Sequence, residues 1–274
     1  MVQICEVLGI SRSLYYKNKN RFKPKKEKQD ELLCSSYVEY HSTYDGILGY
    51  RRMTMYINKL NQKSFSKEYI HRLMKFLGIK SRIRKSKVKR TISRPEHIKE
   101  NIIARDFNST APNEKWLTDL TEFSIPGDSR KLYLSTIMDL YDNSIIEYNL
   151  SLKNNNHLVF SMFDKAIEKH PDAKPIFHSD RGFQYTSHLF RKKLEDARMT
   201  QSMSRVGKCI DNGPMEEFFG TLKTKMFYDK KFKTLEDLIE KIKKYINFYN
   251  NSRFQKGLGC MAPLEYRSHA LKSA

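Results

Sequence analysis

The spacing of apolar residues changes character along the chain, and that change predicts its elements. Between Ile47 and Leu60 the positions Met53, Tyr56, Ile57 and Leu60 recur at helical intervals. Ser66 is a suitable cap for a second helix with Ile70, Leu73, Met74 and Leu77 inside, and Gly78 ends it. Another helix is predicted over about 30–40. Ahead of it come a short helix, a turn at Gly9 and a second short helix capped by Ser11. Beyond residue 113 the pattern shifts to strands at 116–123, 131–139 and 144–151, with turns at Gly127-Asp128 and Asp142-Asn143. Helices around 156–169 and 187–197 then alternate with short strands at 175–179 and 200–204. A further helix opens at Asp211-Asn212-Gly213-Pro214 and carries the stripe Met215, Phe218, Phe219, Leu222 and Met226. The last, over 234–250, places Leu235, Leu238, Ile239, Ile242, Tyr245, Ile246 and Tyr249 on one face, with lysines opposite. A three-strand meander followed by crossover helices predicts an α/β fold, a mixed sheet flanked by helices, behind an α-helical helix-turn-helix region.

Polar stretches divide this pattern. Residues 17–29 are rich in lysine and nearly free of apolar side chains, so 1–40 reads as an amino-terminal helical segment with a basic connector. Residues 41–90 form the helix-turn-helix-like region, whose extension holds Lys80, Arg82, Arg84, Lys85, Lys87, Lys89 and Arg90. Residues 91–112, with Pro95, Pro112 and few bulky apolar groups, read as a linker, and 113–270 as the core with its carboxy-terminal helix.

The formal charge of +20, from 51 basic against 31 acidic residues, points to a polyanionic partner. Residues 1–100 hold 24 basic and 9 acidic side chains and residues 101–274 hold 27 and 22, so most of the excess lies ahead of the core. A membrane surface is the competing polyanion, but no apolar run approaches the roughly 18–20 residues needed to span a bilayer and no signal peptide is visible. A cytoplasmic protein is expected. Cys5, Cys34, Cys209 and Cys260 are scattered, which speaks against a zinc site or a disulfide framework. In the helix-turn-helix region Arg51, Arg52, Lys67, His71, Arg72 and Lys75 project as candidate DNA contacts, with the second helix presented to a major groove. A solvated basic helix pair is the alternative, and His71 taken alone reads as a surface polar group.

Three carboxylates emerge from regular elements. Asp119 interrupts the middle of a strand, an odd place for a charge unless a cation receives it. Asp180 ends the strand at 175–179, and Glu216 borders the apolar stripe of its helix while Glu217 points to water. Such a trio suits two divalent cations about 3.5–4 Å apart, which clamp the attacking and leaving oxygens of a phosphoryl transfer. Mg²⁺ or Mn²⁺ is the expected cofactor, since hard oxygen ligands suffice. Lys223 follows Glu216 by two helical turns on the same face, placed to grip substrate phosphate. Asp139 closes a strand and is a weaker fourth ligand, Glu122 points to the opposite face from Asp119, and His178 and His188 read as structural. Near Arg205 phosphate contact and plain flexibility are both open.

Several blocks in fixed order carry a resemblance: Trp116-Leu-Thr-Asp119, His178-Ser-Asp180-Arg-Gly-Phe-Gln-Tyr185, Asp211-Asn through Glu216 to Phe218-Phe-Gly-Thr-Leu-Lys223, Tyr249-Asn-Asn-Ser-Arg253, Leu258-Gly and Pro263-Leu-Glu-Tyr-Arg267. With 35 residues between Asp180 and Glu216, the chain resembles the transposases of bacterial insertion sequences that have a retroviral-integrase-like core, in the insertion-sequence-three family. The resemblance implies a ribonuclease-H-like core in which Asp119, Asp180 and Glu216 bind the metals, cutting element ends and joining the freed 3′-hydroxyl to target DNA. It also implies a homo-oligomer on DNA and, as a partner, the upstream-frame product that brings a second helix-turn-helix and a coiled coil to this downstream frame. A hydrolytic ribonuclease-H-type nuclease and a non-catalytic DNA-binding repressor are the rival expectations.

Overall fold

The computed structural model describes residues 9, 11–19, 24–81, 98–124, 129–205, 209–228, 230, 232 and 234–273. They fall into two units, residues 1–81 and 82–274. The expected first helix over residues 2–8, the basic run from Arg82 to Arg90, the turn at Gly127-Asp128 and residues 206–208 beside Arg205 lie outside the described residues.

The first unit is helical: α1 (Arg12–Lys19), α2 (Lys25–Thr43), α3 (Tyr50–Leu60) and α4 (Lys67–Phe76). Leu33, Tyr37, Met53, Tyr56, Ile57, Ile70 and Met74 form its interior. The turn between α3 and α4 is held by Asn58, whose side chain donates to Phe65 O at 3.0 Å and accepts from Phe65 N at 2.8 Å. Ser66 Oγ then accepts from Tyr69 N at 3.2 Å, and Gly78 leaves α4 at φ +68°, a conformation that favours glycine. Two expectations need correcting. Leu60, the last residue of α3, is exposed, because the chain turns away there. The basic connector is also shorter than expected: Pro24 caps α2, which takes up Lys25, Lys26 and Lys28, since lysine propagates a helix well.

In the second unit, β1 (Lys115–Ser124), β2 (Lys131–Asp139), β3 (Ile145–Ser151), β4 (Ile176–Ser179) and β5 (Thr200–Met203) form a sheet in the order β3-β2-β1-β4-β5. β1, β2 and β3 pair antiparallel through short connections. β4 and β5 join parallel to β1 after crossovers through α5 (Asn156–Lys169) and α6 (His188–Asp196). One face of the sheet, with Trp116, Ile137 and Phe177, packs on Val159, Met162, Phe163, Phe190 and Leu194 of these two helices. The other face carries Leu117, Asp119 and Phe123 by strand alternation. There Phe123 meets Phe227 edge-on, with ring centroids 5.1 Å apart. Phe227 ends a π-helical turn (Lys223–Phe227) that continues α7 (Gly213–Leu222). Phe218 of α7 in turn packs on Tyr249 of α8 (Leu235–Asn251) at 4.8 Å.

The second half of the stretch expected as a linker is bound to this core. Met203 N donates to Glu100 O at 3.2 Å, Ile102 N donates to Ser202 Oγ at 2.9 Å, and Ile103 is buried. β5 is the edge of the sheet, and this segment takes up hydrogen-bonding groups that an edge would leave open.

Candidate active site

Register brings the first two carboxylates together. β1 and β4 run parallel with Lys115 opposite Ile176, Trp116 opposite Phe177 and Leu117 opposite His178. Carrying that offset two residues further sets Asp119 beside Asp180, and residues in register on parallel strands share a face. Tyr185 bears this out from the side. Its hydroxyl, 3.1 Å from Thr118 Oγ1, is pushed up first by burial and then by the negative charge of both Asp119 and Asp180. Asp119 is 5% exposed and its Oδ1 accepts from Leu120 N at 2.7 Å. Asp180 Oδ1 accepts from Gly182 N at 2.9 Å, and a Cβ on Gly182 would lie only 3.0 Å from that oxygen and 3.2 Å from Gln184 Oε1. The glycine of His178-Ser-Asp180-Arg-Gly is therefore needed for close approach.

The third carboxylate is placed by the start of α7. Asp211, fully buried, receives Asn101 Nδ2 at 3.0 Å, Arg105 Nε at 2.8 Å, and Arg205 Nε and Nη2 at 2.8 Å each. The Arg205 guanidinium, followed by that of Arg105, holds the Asp211 carboxyl well below the usual carboxylate range against the opposing effect of burial. Arg205 is thus neither a loose loop residue nor a bare phosphate contact. It fixes the approach to the helix. Asn212 next donates from Nδ2 to Thr118 O at 3.1 Å, tying the helix start to the residue before Asp119. Glu216 follows Asn212 by four positions and shares its face of the helix. Met215, Phe218 and Leu222 are buried, Glu216 is half-buried and Glu217 is exposed, as the stripe predicts.

The donor set is all hard oxygen, which suits Mg²⁺ or Mn²⁺. Among the described residues no three of His, Cys, Asp and Glu close into a metal-binding group, Asp119, Asp180 and Glu216 included. Two buried oxygens beside the pair, Asn212 Oδ1 and Thr136 Oγ1, have no hydrogen-bond partner among the described residues. Thr136 stands directly opposite Asp119 in the β1–β2 register and on the same face. Buried acceptors without partners are rare in folded proteins, and these two fit a site that holds ordered water.

The other polar residues take different places. Lys223 Nζ lies 5.2 Å from the ring of Phe123, four residues beyond Asp119 on the same face of β1. Asp139 is opposite Trp116, hence on the other face from Asp119, and is held by Arg267 together with Asn113 N at 2.8 Å and Tyr141 N at 3.0 Å. Burial raises its carboxyl, with Arg267 opposing, and the residue anchors the carboxy-terminal helix α9 (Pro263–Ser273). Glu122 pairs with Lys131 at 3.2 Å. In the first unit, Lys67, His71, Arg72 and Lys75 line the exposed side of α4, and Arg51 is exposed on α3 with Arg52 partly covered. His71 stacks on Tyr50 at 4.5 Å, and the guanidinium of Arg72 lies 5.8 Å from the Tyr69 ring centroid.

The integrase core domain family matches residues 109–209, which contain Asp119 and Asp180, and a second integrase core family matches 216–271, beginning at Glu216. A helix-turn-helix-like domain family matches residues 29–87. The chain is 37% identical over 268 residues to InsK of Escherichia coli strain K12, named for the transposase of insertion sequence element IS150, covering 97% of this chain and 93% of that protein. The chain belongs to the insertion-sequence-three transposases. This transposase is also 41% identical over 213 residues to a transposase-like protein of Haemophilus influenzae, covering 78% of the chain and 95% of the relative. Among solved structures, the integrase catalytic core domain of HTLV-2, determined in complex with magnesium, is similar at 18% identity with a TM-score of 0.44, covering 57% of this chain and 97% of that one. The expected ribonuclease-H-like core and helix-turn-helix region stand, and the protein is a DNA transposase. Among its described residues no helix is long and apolar enough to cross a membrane.

Sequence reasoning did not find Tyr185, Thr136 or the clamp on Asp211. Asp211 was visible as a helix-start residue and as part of a block in the resemblance, and nothing local marked Arg105 and Arg205 as its partners.

Proposed function

We propose that Asp119, Asp180 and Glu216 are the catalytic carboxylates of this transposase and hold two divalent ions, Mg²⁺ or Mn²⁺. What supports this reading is the β1–β4 register, which carries Asp119 alongside Asp180, with Asn212 at the start of the helix bearing Glu216 hydrogen-bonded to Thr118 O. When bound, such ions activate a hydroxyl nucleophile and stabilise the leaving oxygen. The chain's own groups do the rest. Backbone N–H groups of Leu120 and Gly182 orient the first two carboxylates, while Asn212 Oδ1 and Thr136 Oγ1 accept hydrogen bonds from water or hydroxyl at the reacting phosphate. In the first step water attacks the phosphodiester at an element end, forming one P–O bond and breaking another to free a 3′-hydroxyl. In the second that hydroxyl attacks target DNA in the same way, its proton passing to solvent.

Lys223, displaced along β1 toward Phe123, grips a phosphate away from the reacting one. Arg51, Arg52, Lys67, His71, Arg72 and Lys75 hold DNA through phosphates and a major groove. Joining two ends calls for more than one copy, so the active form is a homo-oligomer on DNA, in the cytoplasm at the nucleoid, with the upstream-frame product as a candidate partner.

The test is cleavage and joining of a labelled 3′-end to a second duplex. Asp119→Asn, Asp180→Asn and Glu216→Gln should each abolish both steps and leave DNA binding intact. Full activity in any one of them would remove that residue from the site. Cutting without joining by the unaltered protein would favour a simple nuclease, and neither reaction a repressor.

A further inference from the structure

The metal site leaves the tail segment from Tyr249 to Arg253 unused, and the structure gives that segment a place. Between α7, the end of α8 and Met138 of β2 lies a cavity of about 350 Å³, of the size that takes small organic ligands. Its walls include the aromatic residues Phe107, Phe218 and Tyr249, with four polar groups among them: Arg253, Gln255, Glu217 and Asn143. Arg253 is 5% exposed. Its guanidinium lies 5.0 Å from the Tyr249 ring centroid, and among the described residues it has neither a carboxylate partner nor a side-chain hydrogen bond. Gln255 Nε2 is likewise buried without a partner among those residues. A ring face and the carboxy-terminal end of α8 offset only part of the desolvation of a buried cation.

The occupant must therefore suit a lining that is mostly apolar and partly aromatic, present acceptors to Arg253 and Gln255, and present donors to Glu217. A bare phosphate fails on two counts, because Glu217 opposes it and most of the lining is apolar. We infer that the cavity receives an unstacked guanine base of the DNA, its O6 and N7 facing Arg253 and its N1 and N2 hydrogens facing Glu217. Arginine to guanine O6 and N7 is a frequent specific pairing, and unstacked bases are read between apolar walls. Glu216 and Glu217 are successive residues of α7 about 100° apart, so the base held by one lies within a few nucleotides of the phosphate handled by the other.

This rests on the reading of the chain as an enzyme acting on DNA at Glu216, and the test separates the two. Affinity of the full-length chain is measured by fluorescence anisotropy for a short single-stranded thymidine oligonucleotide with a single central guanine, 7-deazaguanine, hypoxanthine or thymine. Guanine should bind roughly tenfold more tightly than thymine. The 7-deaza base, lacking N7, should lose most of that preference, and hypoxanthine, lacking the N2 amino group, part of it. Glu217→Gln should make guanine and hypoxanthine equal, and Arg253→Met, if a urea titration shows it folded, should remove the preference altogether. The base analogues test the unaltered protein, so the outcome does not depend on that variant folding. Equal affinity for all four bases overturns the inference, as does a guanine preference that survives both substitutions. A uniform loss with every oligonucleotide in Arg253→Met would make the cavity a backbone-phosphate contact and overturn it too. Failure of any oligonucleotide to bind would overturn it together with the DNA-binding reading on which it rests.

Discussion

His178 must stay uncharged for β4 to hold its end in place, and this can be worked from its hydrogen bonds. The ring is fully buried, with Nδ1 2.8 Å from Ser202 Oγ and Nε2 3.1 Å from Ser204 Oγ. Ser202 Oγ already accepts from Ile102 N at 2.9 Å and, more weakly, from Ile103 N at 3.4 Å. Its hydroxyl hydrogen must therefore go to Nδ1, which makes Nδ1 an acceptor and leaves the proton on Nε2. A second proton on Nδ1 would set two donors against each other. Burial lowers the imidazole to about 4, with nearby Asp211 opposing.

The unfolded chain takes up the proton near pH 6.5 and the folded chain only near 4, so this contribution to stability is present above pH 6.5 and drains away as pH falls toward 4. The gap corresponds to about 3 kcal/mol. Urea unfolding of the native chain should lose roughly that much more stability between pH 6.5 and 4 than unfolding of His178→Gln, which cannot titrate. Because Asp180 lies two residues beyond His178, cleavage activity should fall over the same window. Parallel losses in the two proteins, or an NMR titration of the folded ring near 6.5, would refute the hydrogen-bond assignment.

Alanine at Arg51, Arg52, Lys67 or Lys75 should weaken DNA binding and flatten the slope of log affinity against log salt by roughly 0.9 for each phosphate no longer neutralised. Unchanged slopes would make α3 and α4 a solvated pair that does not touch DNA. Lys223→Ala should reduce joining of a 3′-end more than overall affinity, because the side chain lies along the sheet face of Asp119. An equal reduction of both would make it a general phosphate contact.

Much of this molecule was legible before its structure. The three-strand meander, the crossover helices and the stripe on α7 all follow from local periodicity, and strand alternation already separated Asp119 from Glu122. The half-burial of Glu216 beside an exposed Glu217 was readable from helical geometry alone. The lysine-rich approach to α2 was misread because a low apolar content says where a segment is wet and not whether it is helical. The docking of the second half of the expected linker was hidden for a related reason. Its backbone docks at a sheet edge through hydrogen bonds joining Glu100 and Ile102 to β5, with Ile103 buried, and so short an apolar stretch has no periodicity to read.

By itself the sequence determined which residue types were available and how each element faces, since both depend on neighbours a few positions apart. It determined the family as well, through blocks whose order and spacing survive in one dimension. Only the tertiary structure decided the partners. The parallel register joins Asp119 to a residue far along the chain, Asp211 gathers arginines from either side of the sheet sequence, and Asp139 turns to Arg267 on the face away from the site. Arg253 entered the sequence reading only as part of a tail motif, and its burial at a partly aromatic cavity emerged when α7 and α8 packed together. Periodicity records which way a side chain points. What it meets there depends on the packing of distant segments, which no local pattern encodes.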